Sequence, residues 1–513
     1  MVINRTKNTI KGTFSGLINK AITIFGSFLV QTVVVKVMGL QYAGLNNLFT
    51  SILSVLSLAE LGIGAAIVFA MYKPVADDDV NKINALLHYF KKFYFCVSFV
   101  ILLVGIFIIP FIPSFIAGDY PDTINLTTLY LIYLLNAVIS YLPPAYYSSI
   151  PSAHQRRDII TNSISIVRII QYSSQVLFLL LFKNYYVFAF IFALSSFLIN
   201  AFVAIVTIKK YPQFKPSGDI TNEEKKDIKS RILSLFGHEL GGKIIISSDS
   251  IVVSAILGVT VLGVFSNYHY IFSSLASVLD IIRASLVAGI GNKLIRDSIE
   301  TNHTFFNTTT FVWIGIVTWF AACMLCLYQD FITLWVGGEM LLDFPVVILI
   351  VVYFYCWQFR TMGLTFKDAS GLWRSDWFKP YIAVVINVAF NIGLTILIKN
   401  VSGVLIPTIF IMLFIYYPIE TIVIYKHIFK KKPYSFFLKS FLLVCVSAIC
   451  IIASFLLCSI IHIEILIVSL FVKGLMSLIA TAFIYILLTF WTKDFKRSVA
   501  MFKNVFKMHR NLS

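Results

Sequence analysis

Apolar runs broken by short polar stretches repeat along the whole chain. A hydrocarbon core about 30 Å thick takes roughly 20 helical residues, so each run predicts a membrane-spanning helix. Fourteen spans are predicted, at about 13–37, 43–72, 83–112, 123–143, 158–182, 185–208, 231–257, 261–290, 304–328, 343–362, 378–398, 402–425, 437–459 and 465–491. Pro110, Pro113 and Pro143-Pro144 mark ends or kinks. A closed β-barrel would instead show short segments of alternating polarity.

Two stretches repeat. "VMGLQYAGLNNLFTSILSVLSLAELGIG" from Val37 resembles "ILGVTVLGVFSNYHYIFSSLASVLDIIRAS" from Ile256, aligning Gly39 with Gly258, Gly44 with Gly263 and Ser54 with Ser273. "SAHQRRD" (Ser152–Asp158) resembles "SGLWRSD" (Ser370–Asp376) at nearly the same offset. Six spans separate each stretch from its partner, so the copies share one orientation and form a parallel repeat. The expected fold class is an all-α polytopic membrane protein with 14 transmembrane helices: two six-helix lobes related by a parallel pseudo-two-fold repeat, plus two C-terminal helices. The expected divisions are an N-terminal lobe (1–208), a cytoplasmic linker (209–230), a C-terminal lobe (231–428), the last two spans (429–492) and a basic cytoplasmic tail (493–513).

Several spans carry polar stripes. In the seventh, His238, Glu239, Lys243 and Asp249 share one sector, and Leu240, Ile244, Ile245, Ile251 and Val252 fill the other. In the first span Gly16, Thr23, Ser27 and Gln31 lie on the Lys20 side. The second places Asn47, Ser51 and Ser54 on one stripe, with Glu60 further along. The eighth places Asn267, Tyr270, Ser274 and Ser277 together, with Asp280 and Arg283 toward its end. A charge at a bilayer centre costs about 2.5–3.5 kcal/mol on insertion scales, so such residues face water, partner charges or a transport path. These stripes are expected to converge on one cavity. Glu239 and Lys243 also have the i,i+4 spacing of a simple ion pair, and Asp280 can pair with Arg283. Lys473 marks a candidate peripheral groove.

Composition and charge sharpen the picture. The 513 residues are 59% hydrophobic and only 13% charged, where a soluble domain carries roughly 25%. The formal charge of +17 is scattered over short loops, which fits membrane topology and argues against a nucleic-acid partner. Basic residues gather on one side: Lys73, Lys82, Arg156, Arg157, the 209–231 segment, Lys293, Arg296, Lys367, Arg374, "KHIFKKK" and the tail. That side is expected to be cytoplasmic, and an even span count puts both termini there. The basic N-terminus leads into the first span and is read as uncleaved. All seven cysteines lie in apolar runs and imply no disulfide framework or metal site.

"MGLQYAGLNNLFTSILSVLSLAELGIGAAI" (Met38–Ile67) and "MYKPVADDDVNKI" (Met71–Ile83), within this layout, resemble the Wzx-type polysaccharide (lipid-linked oligosaccharide) flippases of the multidrug/oligosaccharidyl-lipid/polysaccharide exporter superfamily. The family is similar to lipid II flippases and, more distantly, to the MATE multidrug exporters. The resemblance implies movement of undecaprenyl-diphosphate-linked oligosaccharides across the bacterial cytoplasmic membrane by alternating access, for capsule, O-antigen or exopolysaccharide synthesis. It implies membrane lipid as surroundings, and a polysaccharide polymerase and assembly proteins as candidate partners. Lys20 and Lys243 are the candidates for the diphosphate. Ser27, Gln31, Asn47, Ser51, Asn267, Ser274 and Ser277 are candidates for cavity lining. Glu60, His238, Glu239, Asp249, Asp280 and Arg283 are candidates for ion coupling or gating, with H+ or Na+ as coupling ion and no other cofactor. A MATE-like exporter of cations would call for an acidic site, and the first span offers Lys20. A membrane glycosyltransferase or polymerase has only Asp77–Asp79 as a metal-nucleotide pattern, in a short loop. An enzyme is therefore not expected.

Overall fold

A computed structural model describes residues 5–60 and 62–510. Among these the ordered elements are all helical. The helices are α1 (Arg5–Val33), α2 (Leu40–Leu56), α3 (Ile63–Ala76), α4 (Val80–Ile108), α5 (Leu126–Ile139), α6 (Ser149–Ala153), α7 (Arg157–Phe182), α8 (Tyr185–Lys210) and α9 (Asn222–Leu257). There follow α10 (Val259–Arg296), α11 (Ile299–Trp335), α12 (Phe344–Phe359), α13 (Thr361–Ala369), α14 (Lys379–Ile398) and α15 (Ser402–Ile411). The last are α16 (Tyr417–Ile424), α17 (Tyr434–Ser459), α18 (Leu466–Thr489) and α19 (Lys493–Arg510).

Among the described residues twelve helices are long and apolar enough to cross a membrane, and Ile63–Ala76 and Leu126–Ile139 are shorter apolar helices. The expected second span is thus divided. A tight 3-10 turn (Ser57–Glu60) ends α2, and Gly62 then takes a left-handed φ of 82° before α3. The expected fourth span holds a helix of 14 residues. That rises about 21 Å, short of a 30 Å core.

The solvent these helices are built for is legible in their faces. α17 buries Ser440, Ser447, Cys450, Ser454 and Cys458, and exposes Leu438, Phe441, Leu442, Ile449, Ile452 and Leu456. α18 buries Ser469, Ser477 and Thr481 and exposes Phe471, Ile479 and Phe483. In water this arrangement would be inside out. In lipid, small residues allow close helix approach and hydroxyls join helices. Ser454 and Thr481 lie 2.9 Å apart, and both Thr318 and Tyr355 donate to Ser447 (2.7 and 2.9 Å).

The chain forms two compact units, Met1–Ser266 and Asn267–Ser513. The residues of the seventh span lie in the first of these units. In that unit α1 packs along α7, α7 and α5 against α8, and α2 against α9. α9 begins inside the expected linker, capped by Thr221 and Glu224 in a reciprocal box. Ion pairs Lys82–Glu224 and Lys92–Asp219 tie that connection to the start of α4. In the second unit α11 packs against α12, α17, α18 and α19, and α14 pairs with α15. Its core includes Ile290, Phe306, Phe366, Ile424, Tyr425, Phe429 and Phe436.

The first repeated stretch has a physical counterpart. Gly39 (φ 103°, ψ 173°) and Gly258 (φ 95°, ψ 163°) adopt one backbone conformation, each ending a helix just before the next begins. Only glycine takes such values readily. A Cβ at Gly44 would strike the Val259 carbonyl oxygen, and one at Gly263 would strike the Leu40 carbonyl oxygen. Leu40 and Val259 stand one residue after Gly39 and Gly258, so the contact is reciprocal.

Candidate functional site

In the first unit α1 has two distinct edges. One seals against α7: Asn19 Nδ2 donates to Ser165 Oγ at 2.9 Å, and Gly26 lies where only a missing side chain leaves room for the Tyr172 ring. The polar stripe lies about a third of a turn away. There Lys20 is half-buried, Ser27 Oγ donates to the Thr23 carbonyl at 2.5 Å, and Gln31 Nε2 reaches Ser266 Oγ at 3.5 Å. The Gln31 contact joins the first span to the start of α10.

The α1–α7 seam also holds Arg168, which the sequence analysis did not single out. Its guanidinium donates to the Tyr172 hydroxyl at 3.1 Å, and its Nε is buried without a hydrogen-bond partner. Lys243, on α9, is half-buried. Among the described residues no ion pair forms at Lys20, Arg168 or Lys243. The side chains of His238 and Glu239 lie outside the described residues, and with them the proposed Glu239–Lys243 pair. Asp249 is buried within a run of buried serines, Ser247, Ser248 and Ser250.

The other first-unit candidates divide. Asn47 keeps a buried Oδ1 without a hydrogen-bond partner, and Ser51 is half-buried beside it. Glu60 is held by two phenols, Tyr94 at 3.1 Å and Tyr141 at 3.4 Å.

In the second unit Asn267 is fully buried and Ser274 and Ser277 are half-buried. Asp280 pairs with Arg283 at 3.4 Å, and Arg283 also reaches Asp368 at 3.2 Å. Lys473 pairs with Asp330 at 2.6 Å, which gives it a structural partner between α18 and α11.

A larger cluster here escaped the sequence analysis. Lys367 and Lys379 hold Asp376 at 2.5 and 2.9 Å, and Lys379 also holds Glu420 at 2.6 Å. Arg360 approaches Glu420 at 3.5 Å and lies over the Tyr416 ring, 4.5 Å from its centre. All but Arg360 are at most 3% exposed. Burial would raise the Asp376 carboxyl, but Lys379 and Lys367 outweigh it and hold it below its ordinary value. Arg360, Glu420, Thr310, Tyr417 and Ser440 line a cleft of about 10 Å³, the space of roughly one water. Applying the intramembrane-charge rule to every span would have found Arg168, Arg360 and Glu420, because each sits in an otherwise apolar run.

No family model matches this chain, and no curated protein matches it in sequence. Its fold is that of solved transporters. A structure described as the lipid II flippase MurJ in an inward closed conformation matches with TM-score 0.66 and 17% identity, over 93% of this chain and 99% of that one. An inward-facing multidrug resistance MATE family transporter of the MOP superfamily matches with TM-score 0.57 and 13% identity, over 78% and 94%. The eukaryotic MATE transporter AtDTX14 matches with TM-score 0.53 and 12% identity, over 82% and 96%.

Proposed function

We propose that this chain is a flippase that carries undecaprenyl-diphosphate-linked oligosaccharides across the bacterial cytoplasmic membrane by alternating access, with both termini in the cytoplasm. One observation carries the reading. Lys20, Arg168 and Lys243 stand in spans of one unit with no ion pair among the described residues. Intramembrane cations suit an anionic ligand, and a diphosphate brings several negative charges into a medium where their attraction is strong. Ser27, Gln31, Asn47 and Ser51 supply hydroxyl and amide groups for sugars, and the polyprenyl tail stays in lipid. Asp249 and Glu60 are the candidates in this unit for an H+ or Na+ coupling step. The shared fold with MurJ, named as a lipid II flippase, agrees with a lipid-linked substrate.

The fold is equally that of MATE exporters, so the charge at the site separates the two readings. The test is reconstitution of the purified chain in liposomes bearing lipid-linked oligosaccharide in one leaflet. The expected result is chemically unchanged substrate in the opposite leaflet, slowed in Lys20→Ala and Arg168→Ala. Transport of an organic cation against an H+ or Na+ gradient, with no leaflet transfer, would establish the exporter instead. Covalently altered substrate would make the chain an enzyme.

A further inference from the structure

The last helix, α19, belongs to no membrane span and is built differently from every other helix in the chain. Its sequence, KDFKRSVAMFKNVFKMHR, holds Lys493, Lys496, Arg497, Lys503, Lys507 and Arg510 against the single acid Asp494. At 100° per residue Lys493, Lys496, Arg497 and Lys503 occupy one broad sector, and Phe495, Val499 and Phe502 occupy another. Such a helix suits the boundary between headgroups and acyl chains.

The surroundings place it at that boundary. α18 ends in Phe490 and Trp491, which are 51% and 58% exposed. Exposed aromatics at the end of a span mark the membrane–water interface. Thr492 follows at once, and its Oγ1 accepts from the Phe495 N–H at 3.2 Å. That cap turns the chain directly into α19, leaving no loop in which to move away from the surface. The helix then lies against α11, held by Asp494 on Lys439 at 2.5 Å and by the buried Ser498. With Asp494 paired inside the protein, the exposed charges described on this helix are cationic. Val499 and Phe502 remain 37% and 49% exposed, with Lys496, Arg497 and Lys503 exposed around them.

We infer that α19 is a membrane-surface helix that binds anionic phospholipid headgroups through Lys496, Arg497 and Lys503 while Val499 and Phe502 enter the acyl boundary. The inference stands apart from the transported substrate. Charge complementarity selects the partner: a cationic face beside exposed apolar side chains, at interfacial depth, meets negative headgroups and lipid tails together.

The full-length protein in nanodiscs supplies the test, through amide hydrogen exchange of residues 493–503. Discs of phosphatidylcholine alone are compared with discs that also contain phosphatidylglycerol. Exchange should slow by about tenfold or more in the anionic discs, as each basic group near such a surface favours binding by roughly fivefold. High salt should erase the difference. The variant Lys496→Gln/Arg497→Gln/Lys503→Gln alters only exposed side chains, and it should show little difference between the discs. Equal exchange in both discs, or a difference that survives the triple variant, overturns the inference. Slowing by inorganic phosphate in phosphatidylcholine discs would also overturn it, by making the site one for free phosphate.

Discussion

The two units hold their buried and half-buried cations differently. In the second, Lys367, Lys379 and Arg360 gather around Asp376 and Glu420, and Lys473 and Lys439 each hold an acid. In the first, Lys20, Arg168 and Lys243 form no ion pair among the described residues. A charge matched inside the protein is satisfied at rest and gains little from a ligand. A charge without such a match is costly at rest and gains most when an opposite charge arrives. Under the proposed function, the second unit's cluster holds the fold and the first unit's cations hold the substrate.

Breaking the second unit's network should give the largest effect. Lys379→Met removes the cation that bridges Asp376 and Glu420, and should destabilise the protein by about 3–5 kcal/mol, read by thermal unfolding in detergent. Transport per folded molecule should hardly change. A variant that keeps its melting temperature but loses transport would erase the contrast between the units. The same cluster predicts acid sensitivity. Asp376 has a folded value below its ordinary 3.8, so its contribution is present above that pH and is lost as pH falls through the folded value. Asp376→Asn should remove that part of the acid dependence.

The next effect belongs to the first unit. Lys20→Ala and Arg168→Ala should each slow leaflet transfer about tenfold to a hundredfold, as charged hydrogen bonds contribute roughly 1.5–3 kcal/mol. Their melting temperatures should be near wild type. If either variant instead unfolds at wild-type transport rates, the cation is structural.

Smaller effects sharpen the repeat. Gly44→Ala and Gly263→Ala drive a methyl into the Val259 and Leu40 carbonyls respectively, and should cost about 1–3 kcal/mol apiece. Similar losses in thermal unfolding are expected, because the two contacts are reciprocal. Smallest of all, Lys82→Ala breaks a half-buried surface pair with Glu224, and should shift stability by no more than about 1 kcal/mol.

Much of the fold was legible before any coordinates. The apolar runs gave the helices, and Gly39 and Gly258, aligned by sequence, share one strained conformation. The division of the second span was not legible. Its hydropathy runs on through Gly62, and periodicity does not register one residue turning left-handed. Among the candidate cations, Lys20 and Arg168 carry the same mark in the sequence, a basic residue in an apolar run.

Composition and periodicity by themselves determined that this chain is helical and built for lipid, and they located the polar faces. Those properties follow from local spacing and from the solvation of each side chain. Only the tertiary structure decided which charges are cancelled. Lys379 meets Glu420 from 41 residues away, and Lys473 meets Asp330 from 143. Coulomb energy depends on distance in space, and no rule of local sequence carries that distance.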